Sequence, residues 1–232
     1  ILTNTNTGSS SGPDLVLFRQ STSSAADSDG IGRIDYRGLN DANEEINYAT
    51  TYAKISDASD GTEDGEFYIQ QISGGSYVTT LKIDGSGAVT KPLQPAFNAH
   101  LSSQQNNIAI NTNVTIQFAT ERFDQNADYD NSAYTFTAPV TGRYQLNATV
   151  YLMNVDTGAS YYSLHLITSN DSYFATFSSN SLQYDADYLP FQISQLVDMD
   201  ASDTAYVRVY QSGGSSQTDV NSSSFFSGYL VC

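Results

Sequence analysis

Residues able to perform catalysis are few in this chain, and none of them stands in a catalytic spacing. The two histidines, His100 and His165, are far apart, and neither has a cysteine or a second histidine nearby. A histidine without such neighbours is typical of ordinary packing rather than of a metal ligand or a general base. The apolar neighbours of His165 predict a core or interface position, and at an interface this histidine would make assembly sensitive to pH.

Aspartates form short groups that could supply oxygen ligands to Ca²⁺, which takes about 6–8 oxygens. No group has the regular acidic spacing of a calcium loop, so solvated loop carboxylates are the favoured interpretation and calcium is the alternative. Paired carboxylates also serve in glycosidases, but this chain is short for the catalytic domains that carry them. We therefore predict no catalytic residues and no enzyme. The calcium candidates are Asp128, Asp130, Asp185 and Asp187.

Aromatic side chains are the stronger signal of function. Several of them, flanked by Asn, Ser and Asp, are predicted to lie in turns of the C-terminal half. Aromatic faces beside short polar side chains suit recognition of a saccharide or a protein, because they give contact area at little cost in entropy. Packing of the same side chains across a subunit interface is an equally good interpretation. The candidate receptor residues are Tyr161, Tyr162, Tyr173, Phe174, Tyr184 and Tyr188.

The chain is strongly acidic, with 25 Asp and Glu against 9 Lys and Arg in 232 residues and a net charge of −16. Because this field repels phosphate and anionic lipids, we expect neither nucleic-acid binding nor membrane insertion. No run of about 18 apolar residues and no signal peptide is visible. Cys232 is the only cysteine, so burial or oligomerisation must stabilise the fold. The first residue is Ile, and we expect a longer natural polypeptide.

Short β-strands separated by turns account for most of the sequence. Thr, Ser, Tyr and Phe are abundant, and clusters of Gly, Asn and Asp recur about every ten residues, which is typical of an all-β protein. Residues 91–95, KPLQP, form the clearest boundary, because two close prolines block both helix and central strand. We therefore predict a linker or docking tail over residues 1–12, a β meander or small sandwich module over 13–90, a proline linker over 91–95 and a head over 96–232.

Two motifs dominate the head. Residues 136–144, FTAPVTGRY, place an aromatic residue, a proline, a glycine and a tyrosine at fixed offsets, and residues 225–230, FFSGYL, form an aromatic strand around one glycine. With three further elements in the same order, they resemble the C1q-like domain of the C1q and tumour necrosis factor superfamily. Ser202, before Asp203, departs from the glycine that is usual there. The further elements are residues 95–99, residues 123–130 and residues 203–209.

The resemblance implies a ten-strand jelly-roll sandwich that forms a tight homotrimer. A lone jelly roll leaves sheet edges and aromatic faces exposed, which also favours self-association. No collagen-like Gly-X-Y stalk accompanies the head. The residues that we assign to the trimer interface or core are Phe97, Phe136, Tyr144, Phe225, Phe226 and Tyr229.

The N-terminal module is similar to modules of bacteriophage tail-fibre and other virion proteins, on the segments GRIDYRG (32–38), YAKI (52–55), DGEF (64–67) and LKIDGSGAV (81–89). Combined with the C1q-like head, it predicts a non-enzymatic phage fibre or spike at the virion surface. Its N-terminal region would contact other virion proteins, and its head would bind a host glycan or protein. The alternatives are a virion accessory protein without receptor binding, such as a capsid decoration or tail-assembly protein, and a secreted bacterial adhesin.

Overall fold

The computed structural model describes residues 15–20 and 24–232, and this part is built of β-strands with one 3-10 turn, Ser179–Ser181. The predicted tail over residues 1–12 lies outside the described residues. Two compact units divide the chain, one ending at Leu93 and the other spanning Gln94–Cys232. Within the described part, no helix has the length and apolar character needed to cross a membrane.

The first unit contains an antiparallel meander in which each strand pairs with the next one in the chain. A two-residue hairpin turn joins the third and fourth strands, where Gly74 and Gly75 have φ of 55° and 81°. This left-handed conformation is one that glycine adopts without steric cost. The strands are β1 (Gly30–Leu39), β2 (Glu45–Asp57), β3 (Asp64–Ser73), β4 (Ser76–Ile83) and β5 (Val89–Thr90).

The two faces of this meander differ in polarity, because side chains alternate along each strand. On one face Tyr52 stacks on Tyr68 with ring centroids 4.6 Å apart, and Lys82 pairs with Glu66 at 2.7 Å. The opposite face is apolar and lies open to solvent in the single chain. Its exposed members are Ile34, Tyr36, Phe67 and Ile69.

The second unit is a jelly-roll sandwich of two antiparallel sheets. The first sheet has the order β14-β11-β17-β6-β8, with β16 beside β11, and the second has the order β13-β12-β15-β10-β9, with β7 beside β15. The strands are β6 (Ala96–His100), β7 (Val114–Thr115), β8 (Thr120–Asp124), β9 (Tyr129–Asp130), β10 (Thr135–Thr137), β11 (Gly142–Val155), β12 (Ala159–Thr168), β13 (Ser172–Phe177), β14 (Ala186–Met199), β15 (Thr204–Gly213), β16 (Asp219–Val220) and β17 (Phe225–Leu230).

The inward faces of the two sheets close on a single apolar core. At its centre the ring of Phe97 stacks on Phe136 and Tyr129, at centroid distances of 4.8 and 5.1 Å, and meets Phe226 edge-on at 5.0 Å. Such aromatic pairs add about 0.5–1.5 kcal/mol each beyond the burial of their area. Strands from both sheets contribute to this cluster, which therefore joins the two layers.

The two sequence motifs of the head meet where β11 begins and β17 ends. The Tyr144 hydroxyl donates to the Val140 carbonyl at 2.7 Å and closes the turn before β11. The Arg143 amide donates to the Cys232 carbonyl, also at 2.7 Å. A Cβ at Gly142 would lie only 2.7 Å from that same carbonyl oxygen, so the close approach of these two backbone segments requires glycine.

Candidate functional site

Strands β12, β13 and β15 present aromatic and polar side chains on the outer face of the second sheet. Along β12, Tyr162 and Leu164 point into the core, whereas the intervening residues lie on the outer face. Strand register sets His165 of β12 opposite Phe174 of β13 and opposite Arg208 of β15. Because directly paired residues share a face of the sheet, these three side chains lie together.

An open depression of about 430 Å³ lies on this face, and we call it the outer-sheet pocket. Pockets that bind small molecules commonly have volumes of about 300–1,000 Å³. Its wall combines three aromatic rings with an imidazole, two hydroxyl groups and one carboxamide. The lining residues are Asn113, Tyr161, Ser163, His165, Phe174, Thr176 and Tyr210.

The aromatic rings of the outer-sheet pocket are held in fixed orientations. Tyr161 and Tyr210 stack with centroids 5.9 Å apart and ring planes 28° apart. The ring of Phe174 meets the imidazole of His165 edge-on at 4.6 Å, and Phe174 is 58% exposed. Rigid rings that remain open to solvent provide apolar contact area without a further loss of side-chain entropy on binding.

A chain of hydrogen bonds crosses the floor of the outer-sheet pocket. Arg208 Nε donates to His165 Nδ1 at 3.1 Å, and His165 Nε2 lies 2.9 Å from Ser163 Oγ. Ser163 Oγ in turn lies 3.0 Å from Thr176 Oγ1. Since the guanidinium can only donate, Nδ1 accepts and Nε2 carries the proton. Ser163 Oγ therefore accepts from the imidazole, while either hydroxyl can donate in the bond between Ser163 and Thr176.

His165 is uncharged at neutral pH. Burial, followed by the nearby positive charge of Arg208, lowers its pKa from 6.5 to about 4. Its side chain is buried, with 8% of the residue exposed. The apolar neighbours of His165 predicted a core or interface position. In the structure the ring is buried, but it lies on the outer face of the sheet and belongs to a polar hydrogen-bond network.

The structure separates the predicted receptor residues. Tyr161 and Phe174 line the outer-sheet pocket. Tyr162 is wholly buried, and its hydroxyl accepts a hydrogen bond from the Asp156 amide at 2.8 Å. The prediction for Tyr162 is therefore wrong, because the alternation of strand β12 turns this side chain into the core.

The remaining candidates also lie apart from one another. Tyr173 lies on β13 and packs partly against the core, so the expectation that it and its strand neighbours occupy turns is wrong. Tyr188 lies near the start of β14 and is 61% exposed. Tyr184 alone among the six lies in a loop, with 75% exposure. Neither Tyr184 nor Tyr188 lines the outer-sheet pocket.

Sequence reasoning missed Tyr210, Asn113 and the pairing of Arg208 with His165. The alternation of Tyr206, Arg208 and Tyr210 along one strand was a usable signal, because it places the three on one face. The position of that face beside β12 depends on strand register, which no local pattern in the sequence reveals.

The residues assigned to the trimer interface or core divide into two sets. Phe225 and Tyr229 lie on the outward face of β17, where Phe225 is partly exposed and Tyr229 is 49% exposed. The other four are at most 1% exposed and belong to the core, and they are Phe97, Phe136, Tyr144 and Phe226.

The outer face of the first sheet, which we call the β17 face, is rich in exposed apolar groups. Besides Tyr229, Phe123 of β8 and Leu196 of β14 are 52% and 49% exposed, and cross-strand pairing places both on this side. Two atoms on the same side, Asn98 Oδ1 and His100 Nδ1, are hidden from solvent and have no hydrogen-bond partner among the described residues. Such atoms cost about 1–3 kcal/mol each.

The calcium candidates are not brought together. Asp130 accepts the amides of Ser132 and Ala133, and Asp185 accepts the amide and hydroxyl of Thr157, and these bonds lower the pKa of both carboxyls. Burial instead raises the pKa of Asp128. Over residues 15–20 and 24–232, no group of three or more His, Cys, Asp or Glu, Asp187 included, is arranged to hold a metal ion.

Several solved structures are similar to 60% of this chain. A search of curated protein sequences returns no match. The globular domain of zebrafish complement 1qA is 15% identical, with a TM-score of 0.44 over 60% of this chain and 98% of its own. The PRD1 vertex protein P5 is 16% identical, with a TM-score of 0.44 over 60% of this chain and 99% of its own. Murine APRIL is 10% identical, with a TM-score of 0.43 over 60% of this chain and 99% of its own.

The family assignment follows from the sequence of the second unit. The family model described as the C1q domain matches residues 96–231, which is more than half of the chain. The matched region contains both motifs, the two-sheet core and the outer-sheet pocket. This chain therefore belongs to the C1q domain family.

Proposed function

We propose that this chain is a homotrimeric, non-enzymatic structural protein of a bacteriophage virion, a fibre or spike whose C1q domain contacts the host cell surface. C1q domains are generally structural or ligand-binding modules, which supports a role without catalysis. The virion setting is supported by the N-terminal segments that resemble phage fibre modules.

The β17 face carries the argument for self-association. Tyr229, Phe123 and Leu196 are each about half exposed, and apolar side chains gathered on one face of a protein mark an interaction surface. Asn98 Oδ1 and His100 Nδ1 lie on the same side but are already hidden from solvent in the single chain, so the exposed apolar groups are what a covering partner would contact there. The apolar face of the N-terminal meander adds a second surface that a single chain leaves uncovered.

The oligomeric state tests the first half of the proposal. Light scattering after size-exclusion chromatography is expected to give three times the mass of one chain. Tyr229→Arg should shift the protein towards monomer, because it places a charge in the covered face. Tyr184→Arg is the matched control, since Tyr184 is 75% exposed in a loop, and it should leave the trimer intact. A wild-type protein that elutes as a monomer would contradict the proposal.

Adsorption tests the second half. Purified trimer should bind host cells and reduce phage adsorption when it is added first. Gold-labelled antibody against the head should mark a fibre or spike on the particle. A trimer that marks the particle but neither binds cells nor blocks infection would identify an accessory virion protein instead. Absence from the particle, with secretion by a bacterium, would identify an adhesin.

A further inference from the structure

We propose that the outer-sheet pocket binds a glycan that carries a carboxylate group, such as a uronic or sialic acid residue. The site lies on the face opposite to the β17 face of the same sandwich, so both surfaces can serve at once. The inference deepens the proposed function, because host attachment would supply the glycan, but the chemistry of the pocket stands on its own geometry.

The aromatic wall fits the apolar faces of a sugar ring. Tyr161 and Tyr210 form one stacked pair, and the exposed ring of Phe174 lies on β13, the edge strand of the same sheet. Saccharides present C–H faces that pack on such rings, while their hydroxyls need polar partners at the margin. Three rings around a depression of about 430 Å³ provide this apolar contact on more than one side.

The polar groups of the outer-sheet pocket match the hydroxyls of a sugar. The hydrogen-bond chain that starts at Arg208 ends at Thr176, whose hydroxyl can make a further hydrogen bond to a ligand. The Asn113 carboxamide can both donate and accept. The tyrosine hydroxyls of Tyr161 and Tyr210 have the same dual capacity. A ring bearing several hydroxyls would therefore find donors and acceptors on each side of the apolar wall.

Arg208 is not itself a lining residue, but it lies beside the lining residue His165 on the same face of the sheet, and from there it supplies the preference for a carboxylate. Its Nε is engaged with His165, which leaves the two terminal guanidinium nitrogens for another partner. The ion pairs among the described residues all belong to the first unit, and none of them includes Arg208. A guanidinium offers paired donors that match a carboxylate. His165 is uncharged and accepts from Arg208, so the positive charge of the site is concentrated on one side chain.

The surrounding charge makes this preference selective. The chain carries a net charge of −16, which disfavours the approach of polyanions such as nucleic acids. A single carboxylate presented on a mainly neutral sugar chain meets one local cation without a large long-range repulsion.

The experiment compares two ligands that differ only in charge. Sialyllactose and its carboxyl-reduced derivative are titrated separately into the purified full chain by calorimetry at neutral pH, and an oligosaccharide with a single glucuronate residue and its carboxyl-reduced derivative form a second pair. We expect the carboxylated member of at least one pair to bind about 10–100-fold more tightly, which is the value of a hydrogen bond to a charged group. Arg208→Gln should remove this difference and leave any weak neutral binding unchanged.

Two further variants separate binding from folding. Phe174→Ser changes a ring that is 58% exposed, so the fold should persist while affinity for the carboxylated ligand falls by about tenfold. Tyr184→Ser is the matched control outside the pocket and should bind as the wild type does. Equal affinity for charged and reduced ligands, or equal behaviour of Phe174→Ser and Tyr184→Ser, would overturn the proposal. A change of oligomeric mass in Phe174→Ser would also overturn it, because it would place a second copy on this face.

The outcome is distinguishable from failure of the proposed function. Carboxylate-dependent binding by a protein that does not adsorb to host cells would refute attachment and leave the pocket assignment intact. Conversely, adsorption that is unchanged in Arg208→Gln and unaffected by both glycan pairs would refute the pocket assignment and leave attachment intact.

Discussion

Protonation of His165 should destabilise the head at mildly acidic pH. In the folded protein its pKa is about 4, because of burial and the Arg208 charge, against an ordinary value of 6.5 for histidine. The unfolded chain therefore binds more protons than the folded chain between these two values, and stability falls as the pH falls through this window. A shift of this size corresponds to about 3 kcal/mol once the pH is below 4, and to about 2 kcal/mol at a pH near 5.

The expected acid effect also has a geometric cause. A protonated Nδ1 becomes a donor, so it loses the bond from Arg208 Nε and faces a guanidinium at about the same distance. His165→Asn keeps an acceptor oxygen near the position of Nδ1 and cannot gain a proton. The difference in pH dependence between the two proteins therefore isolates this one residue, because every other titrating group is shared.

Thermal melts monitored by circular dichroism measure the difference. Between a pH near 7.5 and a pH near 5, the wild type should lose roughly 5–8 °C more than His165→Asn, at roughly 3 °C for each kcal/mol. Titration of the imidazole C–H resonance by NMR should place the pKa near 4. An equal loss of melting temperature in both proteins, or a resonance that titrates near 6.5, would refute the argument from burial.

Two other substitutions test the packing of the head. Gly228→Ala should lower the free energy of unfolding by about 1–3 kcal/mol, because a Cβ there would lie 2.5 Å from Leu146 Cδ2 and 2.9 Å from Phe97 Cε1. The control Gly30→Ala should be nearly neutral, since its Cβ would have no atom within 4 Å. Equal thermal melts of the two variants would contradict this. Asp156→Asn should cost about 1–3 kcal/mol at neutral pH, since the carboxylate accepts three backbone amides at 2.6–2.8 Å. These bonds lower the pKa of Asp156, so the difference should shrink only as the pH falls through that lowered value, and equal melts at neutral pH would contradict the role of the charge.

The head was open to prediction from sequence because its signals are local. The alternation from Tyr144 to Leu152 along one strand predicts which side chains enter the core, and all five members of that set are buried. The two sequence motifs include Gly142 and Gly228 at defined positions. The structure supplies their physical reason, since Gly142 meets a backbone carbonyl and Gly228 meets core side chains.

The receptor residues were less predictable because exposure within a strand depends on a shift of one position. Tyr161 and Tyr162 are neighbours with the same chemistry, yet one lines the outer-sheet pocket and the other is wholly buried. Composition and flanking polar residues are identical for the two, so they indicated a loop where a strand exists. Only the burial of one face could have decided between them.

The sequence by itself determined an all-β chain and the inward face of β11, because alternation and turn chemistry are properties of neighbouring residues. The fold of the head was indicated by the resemblance of its motifs to the C1q domain. The tertiary structure alone decided the outer-sheet pocket. Its residues come from β12, β13, β15 and the segment before β7, and they meet only through strand register. The bond between His165 and Arg208 likewise exists because two distant strands pair at one offset, which depends on how the whole sandwich closes on its core.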